Sequence, residues 1–181
     1  MHRHISTHTF GALTLAACLT TLVCTPMASW TLHGADRVAP ETRRQAPDFT
    51  LTDSKGGRFQ LSAQRGKVVL VDFWATWCTG CKQEIPWFVE FHAKYQAKGL
   101  EAVGIAMDEE GWDKVRPYLT EHPIRYPVVV GDLTLLKTFG LDPSLPITLL
   151  VDRHGRIAET HVGVVDKSFW EQRLRQLLAE R

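Results

Sequence analysis

The chain has 181 residues, 44% of them hydrophobic and 23% charged, enough for one domain with a sizeable core. Lysine and arginine total 21 against 20 acids, and the first 29 residues hold one arginine and no acid, leaving 20 of each sign on the body. That balance excludes nucleic acid or an anionic membrane surface as an electrostatic partner.

In chain order, the first element is a weakly basic start with Arg3 and three histidines, then the uncharged apolar run Phe10 to Cys24. The run fits a secretory signal core and falls short of the roughly 20 residues that span a bilayer. Small residues follow, with Ala28 and Ser29 at a plausible cleavage point. Residues 1–29 therefore read as a signal peptide or an N-terminal membrane anchor. "LAAC", Leu15 to Cys18, is similar to a lipoprotein cleavage box, although cutting there would leave the apolar Leu19 to Cys24 on the mature end. Residues 30–45 are polar and irregular and read as a linker to a domain over 46–181.

"PDFTLTDSKGGRFQL" alternates apolar and polar residues about Lys55-Gly56-Gly57, a hairpin signal. "KVVLVDF" is too apolar to be half exposed and reads as a buried central strand. A helix follows over about 79–98, with Phe88, Phe91 and Tyr95 on one face. "LEAVGIAMD" is a strand, and "EGWDKVRPYLTEH" a helix bent or broken near Pro117. "YPVVVGD" is a strand, and "LTLLKTFG" a short helix closed by Gly140. "ITLLVD" and "IAETHVG" form a second hairpin. Asp166 is placed to cap a last helix whose apolar face holds Trp170, Leu174, Leu177 and Leu178. Helices alternating with buried strands predict an α/β fold around a mixed sheet.

Chemistry concentrates in "VDFWATWCTGCKQEIP", Val71 to Pro86. Without residues 1–29, Cys78 and Cys81 are the only cysteines left. No second CxxC and no H-x₃₋₅-H spacing accompanies them, so a four-ligand zinc site lacks half its donors. As a structural staple the pair would be poorly used, because so short a loop barely restricts the unfolded chain. Redox exchange suits the position. Cys78 falls where a strand ends and a helix begins, and unpaired N–H groups and a partial positive charge favour a thiolate there. Cys78 is therefore the expected nucleophile. Cys81, one turn in, is the expected resolving thiol.

"FWATWCTGCK" resembles the thioredoxin active site. Together with "APDFTL", "VGIAMDEE", "YPVVVGD" and "LPITLLVDRHGRI", it is similar to the exported TlpA/ResA-type thioredoxin-like family over about residues 46–163. The resemblance implies a thioredoxin-like fold with an N-terminal hairpin and a central helical insert at about 108–126. It also implies Trp77 packed beside the nucleophile and Pro146 as a cis-proline facing the disulfide. Asp72 matches the buried acid of thioredoxins, and Glu84 the acid of "CxxCxxE.P" in ResA-like members, implied to tune thiol ionisation. This sequence departs at Thr79-Gly80 between the cysteines and at Ile147 after the proline.

The function these features imply is an exported protein-disulfide reductase, in the periplasm or another extracytoplasmic space and released or tethered. Disulfide-containing proteins are its substrates and a membrane protein its electron donor. Cytochrome c maturation or copper-site assembly is the role. No cofactor is called for beyond the Cys78/Cys81 pair. Two alternatives stand beside it. "APDFTL" also opens peroxiredoxins, but their P-x-x-x-T-x-x-C would need Pro and Thr where Val71 and Ala75 stand. A metal or cofactor chaperone would use both sulfurs as soft ligands.

Overall fold

The computed structural model describes residues 39–180; the signal or anchor segment of residues 1–29 lies outside them. Strands β1 (Thr50–Thr52) and β2 (Arg58–Gln60) form an antiparallel hairpin. Asp53 caps its turn, with Oδ1 accepting the N–H groups of Lys55 and Gly57. After it come β3 (Val68–Trp74), α1 (Thr79–Tyr95), β4 (Leu100–Ala106), α2 (Trp112–Glu121), β5 (Val128–Val130), α3 (Leu133–Thr138), β6 (Ile147–Val151), β7 (Ile157–Val162) and α4 (Lys167–Ala179).

The main sheet runs β5-β4-β3-β6-β7. β3, β4 and β5 are parallel; β6 runs antiparallel to β3, and β7, antiparallel to β6, runs in the same direction as β3. β3 sits in the centre with all of its residues buried, which is why its sequence is an unbroken apolar run apart from Asp72. Alternate β3 side chains serve two cores. Leu70 and Trp74 pack with Phe88 and Phe91 of α1, Val115 of α2 and Trp170 and Leu174 of α4. Val69, Val71 and Phe73 pack with Phe49 and Phe59 of the hairpin region and with Leu136 and Phe139 around α3. The fold is thus a mixed sheet between helices, with α2 as the helical insert between β4 and β5.

Four details depart from the sequence reading. The long helix is α-helical only to Tyr95, and a single 3-10 turn carries it to Lys98. α2 runs through Pro117 without breaking, since proline there deletes only one main-chain hydrogen bond on a largely exposed helix. Asp166 occupies the N-cap of α4, but its side chain makes no capping bond; its main-chain carbonyl accepts from Phe169 and Trp170 instead. Residues 39–45, read as the end of a linker, are held on the domain. Arg43 is buried and pairs with Asp152 and Glu180, and Gln45 bridges to Arg156. Polarity suggested solvent there, yet a buried ion pair needs polar residues on a docked segment.

Candidate active site

The site lies at the carboxyl end of β3, beside that of β4, where open α/β sheets gather their functional groups. Asp108, just past β4, is buried and accepts hydrogen bonds from the N–H and hydroxyl of Thr76. Met107 adds an N–H bond to the Trp74 carbonyl. These bonds fix the short segment between β3 and α1. Cys78 then takes extended geometry at the N-cap of α1, and its sulfur accepts the Cys81 N–H at 3.1 Å.

Cys78 and Cys81 are joined by a disulfide. The two residues are not equivalent: Cys78 keeps 5% of its surface and Cys81 none. Of the two residues only Cys78 keeps any exposed surface, and its sulfur accepts the Cys81 N–H in the first helical turn, where negative charge is favoured. The Leu145–Pro146 peptide is cis. Pro146 lies against the first turn of α1, with its Cδ 3.2 Å from where a Cβ on Gly80 would stand. Trp77 is 66% exposed. With Leu145, Met107, Asp108 and Leu133 it lines a groove of about 890 Å³.

The core between β3 and α1 holds a set of buried polar groups. Asp72 projects to the α1 side of β3, and neither carboxylate oxygen has a hydrogen-bond partner. Burial drives its pKa well above the ordinary aspartate value, and the charge of Glu84 adds to the rise. Glu84, on α1, is also fully buried. Its Oε1 accepts from Trp170 Nε1 at 3.1 Å and from the Val165 N–H at 3.3 Å, while Oε2 is unpartnered. Burial raises its pKa, and those two hydrogen bonds oppose the rise. Tyr126 Oη, Trp74 Nε1 and Thr148 Oγ1 are likewise buried without partners. Thr148 stands beside Asp72 on β6 and Gly104 beside it on β4. A side chain at Gly104 would press within 2.9 Å of Trp74 Nε1 and 3.2 Å of the Tyr126 ring, so glycine makes room for both.

The structure thus brings Asp72, Trp77, Cys78, Cys81, Glu84 and Pro146 into one region. Sequence reasoning missed Asp108, Tyr126, Val165 and Trp170. Each acts across the fold from a segment distant in the chain, and only the acidic "MDEE" run hinted at the first. Among the described residues no group of three or more His, Cys, Asp or Glu side chains converges where a metal could sit.

Residues 42–169 match the AhpC/TSA family, and the chain belongs to that thioredoxin-like family. It is 31% identical over 144 residues to the thiol-disulfide oxidoreductase ResA of Bacillus thuringiensis, covering 79% of this chain and 82% of that one. A Chlorobium tepidum protein assigned as the thiol:disulfide interchange protein DsbE superposes with a TM-score of 0.71 at 33% identity, covering 76% of this chain and 97% of that one. The exposed lipoprotein thioredoxin of Streptococcus pneumoniae superposes at 0.64 with 26% identity, covering 72% of this chain and all of that one. The protein is a thiol-disulfide oxidoreductase, acting on disulfide-containing proteins.

Proposed function

We propose that this oxidoreductase works outside the cytoplasm as a reductant of protein disulfides in cytochrome c maturation or copper-site assembly. A membrane dithiol protein would keep it reduced, and residues 1–29 would export or anchor it. The observation that carries the direction of attack is the unequal exposure of the two cysteines, Cys78 at the start of α1 and Cys81 fully buried. The Cys78 thiolate attacks one sulfur of a partner disulfide, forming a mixed disulfide and expelling the other sulfur as a thiolate that takes up a proton. Cys81 then loses its proton to a buried carboxylate, Asp72 or Glu84, and attacks Cys78. The second partner sulfur leaves and is protonated. The partner gains two electrons and two protons, and Cys78–Cys81 is oxidised. The donor dithiol reverses these steps.

Trp77 and the Leu145 main chain beside Pro146 provide the docking surface, an extended partner segment pairing with the latter. Export is supported by the Phe10 to Cys24 run, and the extracytoplasmic setting by the surface-exposed pneumococcal relative. Among the described residues no helix is long and apolar enough to cross a membrane. The test is a Cys81→Ala variant expressed in its own host, with mixed disulfides isolated after acid quenching. Recovery of cytochrome apoproteins or copper-site proteins supports the role, and recovery of a broad set of secreted proteins refutes it. Cys78→Ala should abolish disulfide reductase activity, and retained activity would overturn the assignment of the nucleophile.

A second reading, a thiol peroxidase, draws on the family match and on the opening "APDFTL". It predicts peroxide consumption by the dithiol form faster than reduction of protein disulfides, and a peroxide-decay assay separates the two.

A further inference from the structure

Gly80 lies between the two cysteines in the first turn of α1. A Cβ there would stand 2.7 Å from Val164 Cγ2, inside any real carbon contact, and 3.2 Å from Pro146 Cδ. Val164 belongs to the segment joining β7 to α4 and is 40% exposed. The next residue, Val165, donates its N–H to Glu84 Oε1 at 3.3 Å. Gly80 and Glu84 are four residues apart on α1 and so share one face of the helix. The 164–165 segment lies along that face, touching it at Gly80 through a methyl group and at Glu84 through a hydrogen bond.

We propose that Gly80 and Val164 are positioning residues. The size of the residue between the cysteines determines where Val164 sits, Val164 carries the Val165 amide with it, and that amide governs how readily Glu84 ionises beside Cys81. This deepens the reading above, in which a buried carboxylate receives the Cys81 proton as that thiolate displaces the partner sulfur from Cys78. The Val165 bond is already long, so a displacement of a few tenths of an ångström releases it. Losing a bond to a carboxylate disfavours the ionised form by about tenfold or more, one pH unit in its titration. The segment itself is half exposed, so crowding at Gly80 is relieved by movement there more easily than by movement of the buried helix.

The experiment uses the full-length oxidised protein, labelled for NMR, with the Val165 amide and the Trp170 indole as reporters of Glu84. The other titratable groups around this region are Asp72 on β3, which feels the Glu84 charge, Tyr126 ahead of β5, which feels that of Asp72, His161 on β7, whose ring packs on Trp170, and, next in sequence to Val165, Asp166 and Lys167, the latter paired with Glu90 of α1. Each titration is therefore repeated with Asp72→Asn, and Glu84→Gln identifies the transition that belongs to Glu84. In the parent protein both reporters should follow that transition. In Gly80→Ala the Val165 amide should cease to follow it, and the indole midpoint should rise by about one pH unit. Gly80→Ala/Val164→Ala removes the clashing methyl and should restore both. Should Gly80→Ala fail to fold, Val164→Trp crowds the same contact from the exposed segment and should release the amide in the same way. The proposal is overturned if the crowding variants that fold leave both reporters unchanged, or if the Gly80→Ala effect persists with Val164→Ala. Resolution rates of a preformed Cys78 mixed disulfide should shift with pH in parallel. An absence of reductase activity in the parent protein would refute the parent reading, while the NMR titration judges the link by itself.

Discussion

Replacing Asp72 by Asn should stabilise the folded protein at pH 8 and leave it nearly unchanged at pH 3. Asp72 is 1% exposed, and among the described residues neither oxygen has a hydrogen-bond partner and no cation offsets its charge. Its folded pKa lies well above its ordinary 3.8, so folding takes up a proton. The stability linked to this group is complete below pH 3.8 and is lost as the pH rises through the raised folded value. Above that value the protein folds with an uncompensated buried charge. Asn removes the charge but keeps a polar group in the same unsatisfied site, so only the ionisation part of the cost disappears, about 1–3 kcal/mol. For a domain of this size that corresponds to roughly 3–9 °C in Tm. Urea unfolding of the oxidised protein between pH 3 and 8, followed by far-UV circular dichroism, measures it. Glu84, raised in the same direction by burial, adds a decline of its own, so Asp72→Asn/Glu84→Gln should show the flattest pH profile. Equal gains at pH 3 and pH 8, or a loss at pH 8, would refute the argument that Asp72 is buried without compensation.

Glu101 should behave oppositely. Burial pushes its carboxyl up, but hydrogen bonds from His92 and Lys67 outweigh burial and hold it at about 2 against an ordinary 4.5. Its stabilisation is present above pH 4.5 and lost as the pH falls through about 2, so Glu101→Gln should destabilise by about 1–2 kcal/mol at pH 7, discounted for partial exposure, and by almost nothing at pH 2. Arg43→Ala should lower stability by about 2–4 kcal/mol in chemical denaturation, because Asp152 and Glu180 lose a buried partner; an effect below 0.5 kcal/mol, roughly that of an ordinary surface substitution, would show that residues 39–45 are not held on the domain. Trp77→Ala should leave Tm within about 2 °C, since the ring is 66% exposed, yet raise KM for a protein disulfide several-fold with little change for a small disulfide such as oxidised glutathione. An equal loss on both substrates would assign Trp77 to the chemistry of the pair rather than to docking.

Much of this molecule could be read in one dimension because its signals are local. The buried β3 run, the alternation around Lys55-Gly56-Gly57, the helical spacing of Phe88, Phe91 and Tyr95, and the strand–cysteine–helix order depend on neighbours within a few residues. They were enough to predict a mixed sheet between helices and to place Cys78 at a helix start. The acids Asp72 and Glu84 became candidates through the resemblance to thioredoxins and to ResA-like members, which carry acids at the matching positions. It could not show what surrounds them. The bond from Trp170 to Glu84 spans 86 positions, Thr76 and Asp108 are 32 apart, and Arg43 finds Asp152 across 109. Local propensity carries no information about such pairs, and polarity alone made residues 39–45 look like linker. Tertiary structure decided that Asp72 has no partner, that Glu84 has two, and that Gly80 has Val164 directly over it. Those contacts arise only when β7, α4 and the segment between them close over α1, and they determine the environment in which Cys81 gives up its proton.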